Sequence, residues 1–330
     1  MIKLKEKLLS MNYKPIILVA GEPKSIFLEI FFKSLKYKRY KSPLILICSK
    51  RLLENQMKRF NFKKKIKSID INNLKNFQLD NNCINLIDIK LDKSSEKIQI
   101  KKNYYIKKCF DTAFYIIRNK LSSKFINGPI SKSKFLDKKF LGMTEYISKK
   151  FNIKSNAMLI YNKDLSVCPI TTHLPLKHVT KKINSKLILE KVKLIHGFYK
   201  KKLNLKPKIA VLGLNPHCES VDSFNEDEKL LKPFVFSAKK LGFNISGPYP
   251  ADTIFLKSNR KKFNVILGMY HDQVLTPMKT LFEYDAINIT LGLPFLRISP
   301  DHGPNEKMVG KNLSNPLSLI NAITFLDKNW

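Results

Sequence analysis

No apolar run in this chain approaches the roughly 20 residues needed to cross a bilayer as a helix, so a soluble protein is expected. The opening segment, Met1 to Lys14, mixes Lys, Leu, Ser and Asn. It lacks the apolar stretch and small-residue cleavage site of a secretory signal, and export is therefore not expected. Cys48, Cys83, Cys109, Cys168 and Cys218 form no C-x-x-C pair, which speaks against a zinc ribbon or redox couple and predicts reduced thiols in a cytoplasm. No G-x-G-x-x-G follows the first apolar run, so the residues by themselves carry no Rossmann fingerprint. Internal repeats and long low-complexity linkers are absent too, and acidic residues number 26 against 61 Lys and Arg.

That imbalance gives a formal charge of +35, a common footprint of nucleic-acid binding. Its distribution points elsewhere. Lys63-Lys64-Lys65, Lys138-Lys139, Lys200-Lys201-Lys202 and Lys261-Lys262 are scattered among many Asn and Ile, the pattern of a composition biased everywhere toward Lys on solvated faces. A nucleic-acid binder would interleave aromatics with Lys or Arg, or carry a known binding motif, and neither is visible. Nucleic acid and membrane are thus not expected as partners, whereas a field that attracts small phosphorylated molecules follows from the charge.

At 330 residues the chain can form two domains, or one bilobal unit with a cleft. Apolar runs alternate with amphipathic stretches. Pro15–Ala20 is followed by Gly21-Glu22-Pro23 and a helical Ile26–Leu35, and Leu44–Cys48 by Leu52–Phe60, the alternation of an α/β fold. Residues 63–102 read as polar and irregular. Tyr104–Lys120 reads as a helix, and Phe125–Pro129 as a strand end, a turn and a candidate hinge. Further strands are expected at Met158–Tyr161, Val167–Ile170, Lys208–Leu214 and Asn264–Met269, with helices at Lys186–Lys200 and Glu226–Leu241.

Six histidines occur, and three of them, His173, His217 and His271, each follow an apolar run in the same way. Ligands of open parallel sheets bind beyond the carboxyl ends of the strands, which is where these residues fall. Three neutral imidazoles so placed can form one face of a divalent metal site and leave positions open for substrate. Asp252 and Asp272 can orient an imidazole or supply an anionic ligand. Taken singly, each His is more simply a hydrogen-bonded loop or core residue; the repeated context favours a shared ion. His196, inside a helical pattern, and His178, in a charged segment, read as structural.

Several stretches, in order along the whole chain, resemble the 4-hydroxythreonine-4-phosphate dehydrogenase family. They are Gly21-Glu22-Pro23, Asn127-Gly128-Pro129 with Lys132, Thr171-Thr172-His173, Leu214-Asn215-Pro216-His217 and Pro250-Ala251-Asp252-Thr253. Met269-Tyr270-His271-Asp272-Gln273 with Lys279, Asn288–Phe295, Arg297 and Asp301-His302-Gly303 complete the set. The resemblance implies two α/β/α lobes with a cleft, similar to isocitrate and isopropylmalate dehydrogenases: residues 1–125 plus 300–330, and residues 126–299 with most metal and substrate residues. It implies a divalent metal on His173, His217 and His271, zinc first, with magnesium or cobalt as alternatives. It further implies substrate contacts from Thr144, Lys279, Asn288 and Arg297, of which Lys279 and Arg297 suit a phosphate or carboxylate.

The implied activity is NAD-dependent oxidation of 4-phosphooxy-L-threonine with decarboxylation to 3-amino-2-oxopropyl phosphate, in pyridoxal 5'-phosphate biosynthesis. NADP is an alternative acceptor, and His302 and Gly303 approach the cofactor. Asp252, Asp272 and Lys279 are the catalytic candidates, with Lys279 or Asp272 relaying protons. A homodimer sharing its active sites is implied as well. Three departures stand out. The family's Gly-His-Thr-Glu is Gly142-Met143-Thr144-Glu145, a glycine-rich stretch is replaced by Lys24-Ser25-Ile26-Phe27, and Pro304-Asn305-Glu306-Lys307 follows Gly303. Met143 keeps open an alternative substrate, a four-carbon sugar-acid phosphate such as erythronate or threonate 4-phosphate.

Overall fold

A computed structural model describes residues 13–91, 98–131, 135, 140, 142–222, 224–300 and 303–329. The chain divides into two units, Met1–Lys139 with Pro294–Trp330, and Phe140–Leu293, so the second is inserted into the first. The divisions fall after residues 139 and 293, where the sequence suggested 125 and 299. The reason is strand pairing: Phe125–Asn127 and Leu296–Ile298 lie inside ladders of the first unit.

The first unit begins with β1 (Ile16–Val19), four apolar residues all buried, and β2 (Leu44–Cys48), five of the same kind. Strands apolar on both faces need cover on both faces, the condition met in parallel α/β sheets. With β3 (Ile66–Ser68), β4 (Ile84–Asp88), β5 (Lys124–Asn127) and the late β12 (Leu296–Pro300), the order is β3-β4-β2-β1-β5-β12. Each of these pairings is parallel. Among the covering helices are α1 (Phe27–Tyr37), α2 (Lys50–Arg59) and α3 (Ile98–Arg118). Ser49 caps α2 by accepting the Leu52 amide. α3 buries Ile106, Cys109, Phe110, Ala113, Phe114 and Ile117, an apolar stripe at helical spacing.

The segment 63–102, read as irregular, therefore contributes two strands. β4 is disguised by Asn85, whose buried amide donates to the Leu44 and Asp80 carbonyls and accepts from the Asp80 amide. A polar residue inside an apolar strand is tolerated because each of its groups finds a partner.

The second unit contains α4 (Met143–Lys150), β6 (Ala157–Tyr161), β7 (Ser166–Pro169), α5 (Ser185–Leu203), β8 (Ile209–Leu212), α6 (Lys232–Lys240), β9 (Ile245–Tyr249), β10 (Val265–Gly268), α7 (His271–Phe282) and β11 (Ile287–Leu291). Its order is β11-β6-β7-β10-β8-β9. β7, β10, β8 and β9 run parallel, while β6 is antiparallel to both β11 and β7. The expected α/β class holds, with a mixed sheet here. Met158, Ile160, Val167, Ala210, Leu212, Ile266, Val274 and Met278 share one core that fastens α7 to the sheet. Among the described residues no helix is long and apolar enough to cross a membrane.

Candidate active site

Three neighbouring parallel strands, β7, β10 and β8, end at one edge of the second unit, and each hands the chain to a loop bearing a histidine. His271 follows the central strand and opens α7. His173 follows β7 on one side, and His217 follows β8 on the other. Thr171 ties the first two loops together: its amide donates to the Met269 carbonyl at 3.2 Å and its hydroxyl to the same oxygen at 2.8 Å. The His173 and His271 rings end up 5.7 Å apart between centroids, tilted by 37°.

Two of the three histidines hold left-handed backbone, His173 at φ 50° and His217 at φ 55°. Each such conformation costs about 1–2 kcal/mol for a residue with a Cβ, and it persists where surrounding bonds over-determine it. Around His271 the constraint is the next residue, since Asp272 Oδ1 lies 2.6 Å from Nδ1. A carboxylate at Nδ1 fixes the ring, with Nε2 on its far side. Gln273 braces the same turn, accepting the Met269 amide and donating to the Gly213 carbonyl, each at 2.7 Å.

The loop that carries His217 is held by Asp227, which is fully buried. Its carboxylate accepts the Leu214 amide at 2.8 Å, the Asn215 amide at 3.0 Å and the Asn215 side chain at 3.0 Å. Gly213 is required beside it, because an added Cβ would sit 2.6 Å from Cys218 Sγ and 2.8 Å from Asp227 Oδ1. Burial, followed by the charges of Asp227 and Asp252 among smaller influences, pushes the Cys218 thiol up to about 11. Asp252, just past β9, is thus within electrostatic reach of the His217 turn. Sequence reasoning passed over Asp227, although an acidic Glu226-Asp227-Glu228 cluster in so Lys-rich a chain was a usable signal.

Thr144 is buried on α4, with its hydroxyl 3.5 Å from that of Thr290 on β11. Asn288 precedes Thr290 by two residues and so shares its face of the strand, and its Oδ1 is buried with no hydrogen-bond partner. α4 also reaches His173, since a Cβ on Gly142 would lie 3.0 Å from that ring. Met143 is buried in the first turn of α4. Lys279 lies in the last turn of α7 and is half-buried. Arg297 belongs to the first unit, where it is buried and donates from Nε to Asn127 Oδ1 at 2.8 Å.

Gly303 is exposed, next to Pro304, whose carbonyl accepts the Ile26 amide at the start of α1. His302, with Lys132 and Asp301, lies outside the described residues. His196 sets its ring edge-on to Phe243, at 5.3 Å between centroids. Burial, then Lys200 and Lys206, lower its pKa.

Among the described residues no three His, Cys, Asp or Glu side chains gather closely enough to hold a metal ion. The three expected ligands share one edge of the sheet but do not form a closed triad. The spacing of the His173 and His271 rings is compatible with a shared ion. Two imidazoles bound at an ordinary Zn–N length of about 2.1 Å place their centroids roughly 5 Å apart, close to the 5.7 Å found. His217 is exposed on the adjacent loop.

Comparison with known proteins identifies the family. The family model for pyridoxal phosphate biosynthetic protein PdxA matches residues 39–326. The chain is 35% identical over 320 residues to the 4-hydroxythreonine-4-phosphate dehydrogenase of Sulfurihydrogenibium sp. (strain YO3AOP1), covering 93% of this chain and 96% of that one. It is 32% identical to the protein of that name from Aquifex aeolicus (strain VF5), over 95% and 98%. Among solved structures, a putative 4-hydroxythreonine-4-phosphate dehydrogenase from Salmonella typhimurium aligns with a TM-score of 0.81 at 26% identity, covering 95% of this chain and 98% of that one. These names do not favour the sugar-acid phosphate alternative. With the family model spanning most of its length and full-length relatives above 30% identity, the chain belongs to the PdxA family.

Proposed function

We propose that the chain oxidises 4-phosphooxy-L-threonine with NAD or NADP as hydride acceptor and releases carbon dioxide, giving 3-amino-2-oxopropyl phosphate for pyridoxal 5'-phosphate synthesis. The observation that carries this reading is the His173–His271 pair beside Asp272, set beyond parallel strands in a member of the PdxA family. A divalent cation there, zinc first and magnesium or cobalt as alternatives, would supply Lewis acidity that lowers the pKa of the substrate hydroxyl and offsets negative charge on its oxygen.

His173 and His271 would hold that cation, with His217 completing the set. Asp272 keeps His271 in the tautomer that offers Nε2. The substrate's hydroxyl-bearing carbon gives up hydride to the nicotinamide while the hydroxyl proton leaves through Asp272 or Lys279. Asp252 is the further carboxylate assigned to the chemistry, from its place near the His217 turn. The β-keto acid then loses carbon dioxide, its electron pair drawn onto the neighbouring carbonyl oxygen and later protonated at carbon.

Thr144 and Asn288 are assigned to substrate on the strength of the buried Thr144 hydroxyl and the buried, unpartnered Asn288 Oδ1. Arg297, buried and held through Nε by Asn127, is assigned to the phosphate as a planar cation, and Lys279 as a point charge. Gly303, beside Pro304 at the start of α1, supports a cofactor approach near that helix, with His302 its expected neighbour. A homodimer with shared sites and a cytoplasmic location belong to the same reading; the free state of all five thiols supports the latter.

The test is turnover of purified enzyme with NAD or NADP, a divalent metal and 4-phosphooxy-L-threonine. Reduced nicotinamide and carbon dioxide should form together. Oxidation of erythronate or threonate 4-phosphate with none of the threonine ester would overturn the substrate assignment.

A further inference from the structure

We infer that Glu145 is the positioning residue for His173, performing for that imidazole what Asp272 performs for His271. The inference rests on the proposal that His173 holds a divalent cation. Glu145 lies in the first turn of α4, and its two oxygens are used unequally. Oε1 takes the hydroxyl of Thr172, the residue before His173, at 3.4 Å. Oε2 is buried and has no hydrogen-bond partner. It lies 2.9 Å from the point where a Cβ on Gly142 would sit, and His173 Nδ1 and Cε1 lie 3.0 Å from that same point. A carboxylate oxygen and the Nδ1 edge of an imidazole thus border the same space over the bare Cα of a glycine.

A buried carboxylate oxygen without a donor is costly, and the His173 imidazole borders the space it faces. A proton held on Nδ1 by Glu145 leaves the Nε2 lone pair of His173 for the cation, the same tautomer that Asp272 imposes on His271. Gly142 belongs to the arrangement, since a Cβ there would fall 2.9 Å from the carboxylate and 3.0 Å from the ring, and one of them would have to shift. Thr172 completes it by fixing the carboxylate's other oxygen to the strained turn that ends at His173.

The experiment is a titration of metal-stripped protein with Co2+, followed by visible absorption of the bound ion, on the parent, Glu145→Gln, Glu145→Asp and Gly142→Ala. Glu145→Gln keeps size and the Thr172 contact but loses the charge. It should bind Co2+ about 10- to 100-fold more weakly with an altered band, while the stripped protein melts as the parent does. Glu145→Asp should recover part of the affinity. Gly142→Ala, which keeps the carboxylate but separates it from the ring, should lose affinity as Glu145→Gln does and serves if the latter fails to fold. Parent-like affinity and absorption in Glu145→Gln and Gly142→Ala would overturn the inference, as would a fall in melting temperature with Co2+ binding untouched. A parent protein that binds no Co2+ would remove the metal reading beneath it, a result distinct from equal binding by parent and variants.

Discussion

The side-chain amide of Gln273 donates to the main-chain carbonyl of Gly213, and through that bond the loop after β10 is fastened to the loop after β8. Since the same side chain also accepts the Met269 amide, one residue fixes both the start of α7, with His271, and the strand end that leads to His217. Gln273→Ala should leave a partly buried donor and acceptor unmatched and cost about 2 kcal/mol. Turnover should fall further than stability, because the two histidine loops would no longer be held in register. Urea unfolding beside steady-state kinetics checks this; a variant with parental values in both would show that the loops hold each other unaided.

Asp227 makes a sharper case. Its buried carboxylate gathers three N–H donors from Leu214 and Asn215, and Asp227→Asn would turn one acceptor into a donor facing donors. Hydrogen bonds to charged groups contribute roughly 1.5–3 kcal/mol each, so a loss on the order of 3 kcal/mol is expected from chemical denaturation. Loss of turnover should accompany it through the displaced His217 turn.

Arg297→Lys should raise KM for a phosphorylated substrate about 100-fold, roughly 2.7 kcal/mol, with a smaller effect on kcat, because an ammonium cannot reproduce the fork held through Nε by Asn127. Asn127→Ala should show the same direction more weakly, since the guanidinium stays but its orientation is freed. An unchanged KM in both would remove Arg297 from the phosphate site.

The thiols set an alkaline limit. Burial pushes Cys109 and Cys168 up to about 12 and raises Cys48 well above its ordinary range. A group whose pKa is higher folded than unfolded stabilises the fold fully below the unfolded value and loses that contribution as pH rises through the folded one. Stability should therefore decline from about pH 8.5, where free thiols ionise, toward about pH 12. Urea midpoints across that range check the slope. A thiol reagent at neutral pH should modify the partly exposed Cys83 well before the buried four.

How much was legible beforehand depended on what each residue had to do. Apolar strands such as Ile16–Val19 and Leu44–Cys48 announce themselves because burial on both faces demands uninterrupted hydrophobicity. β4 did not, since buried Asn85 breaks the run and its compensating bonds to Leu44 and Asp80 are invisible in sequence. The placement of His173, His217 and His271 beyond strand ends could be read from their positions after apolar runs. Which two would pair could not, because that follows from the β7-β10-β8 order and from the Thr171 bonds to Met269. The supports, Asp227, Gln273 and Glu145, act on backbone atoms and ring edges, and no spacing rule marks such contacts.

The insertion of residues 140–293 within the first unit sets an order of events on the ribosome. β5 emerges early, yet its partner β12, aligned Leu296 to Lys124 and Arg297 to Phe125, is translated only after the entire inserted unit. The inserted unit is therefore free to fold first, while one edge of β5 waits open and vulnerable to pairing with another nascent chain. A message truncated after residue 293 would yield a whole inserted unit beside a first unit deprived of the strand that carries Arg297.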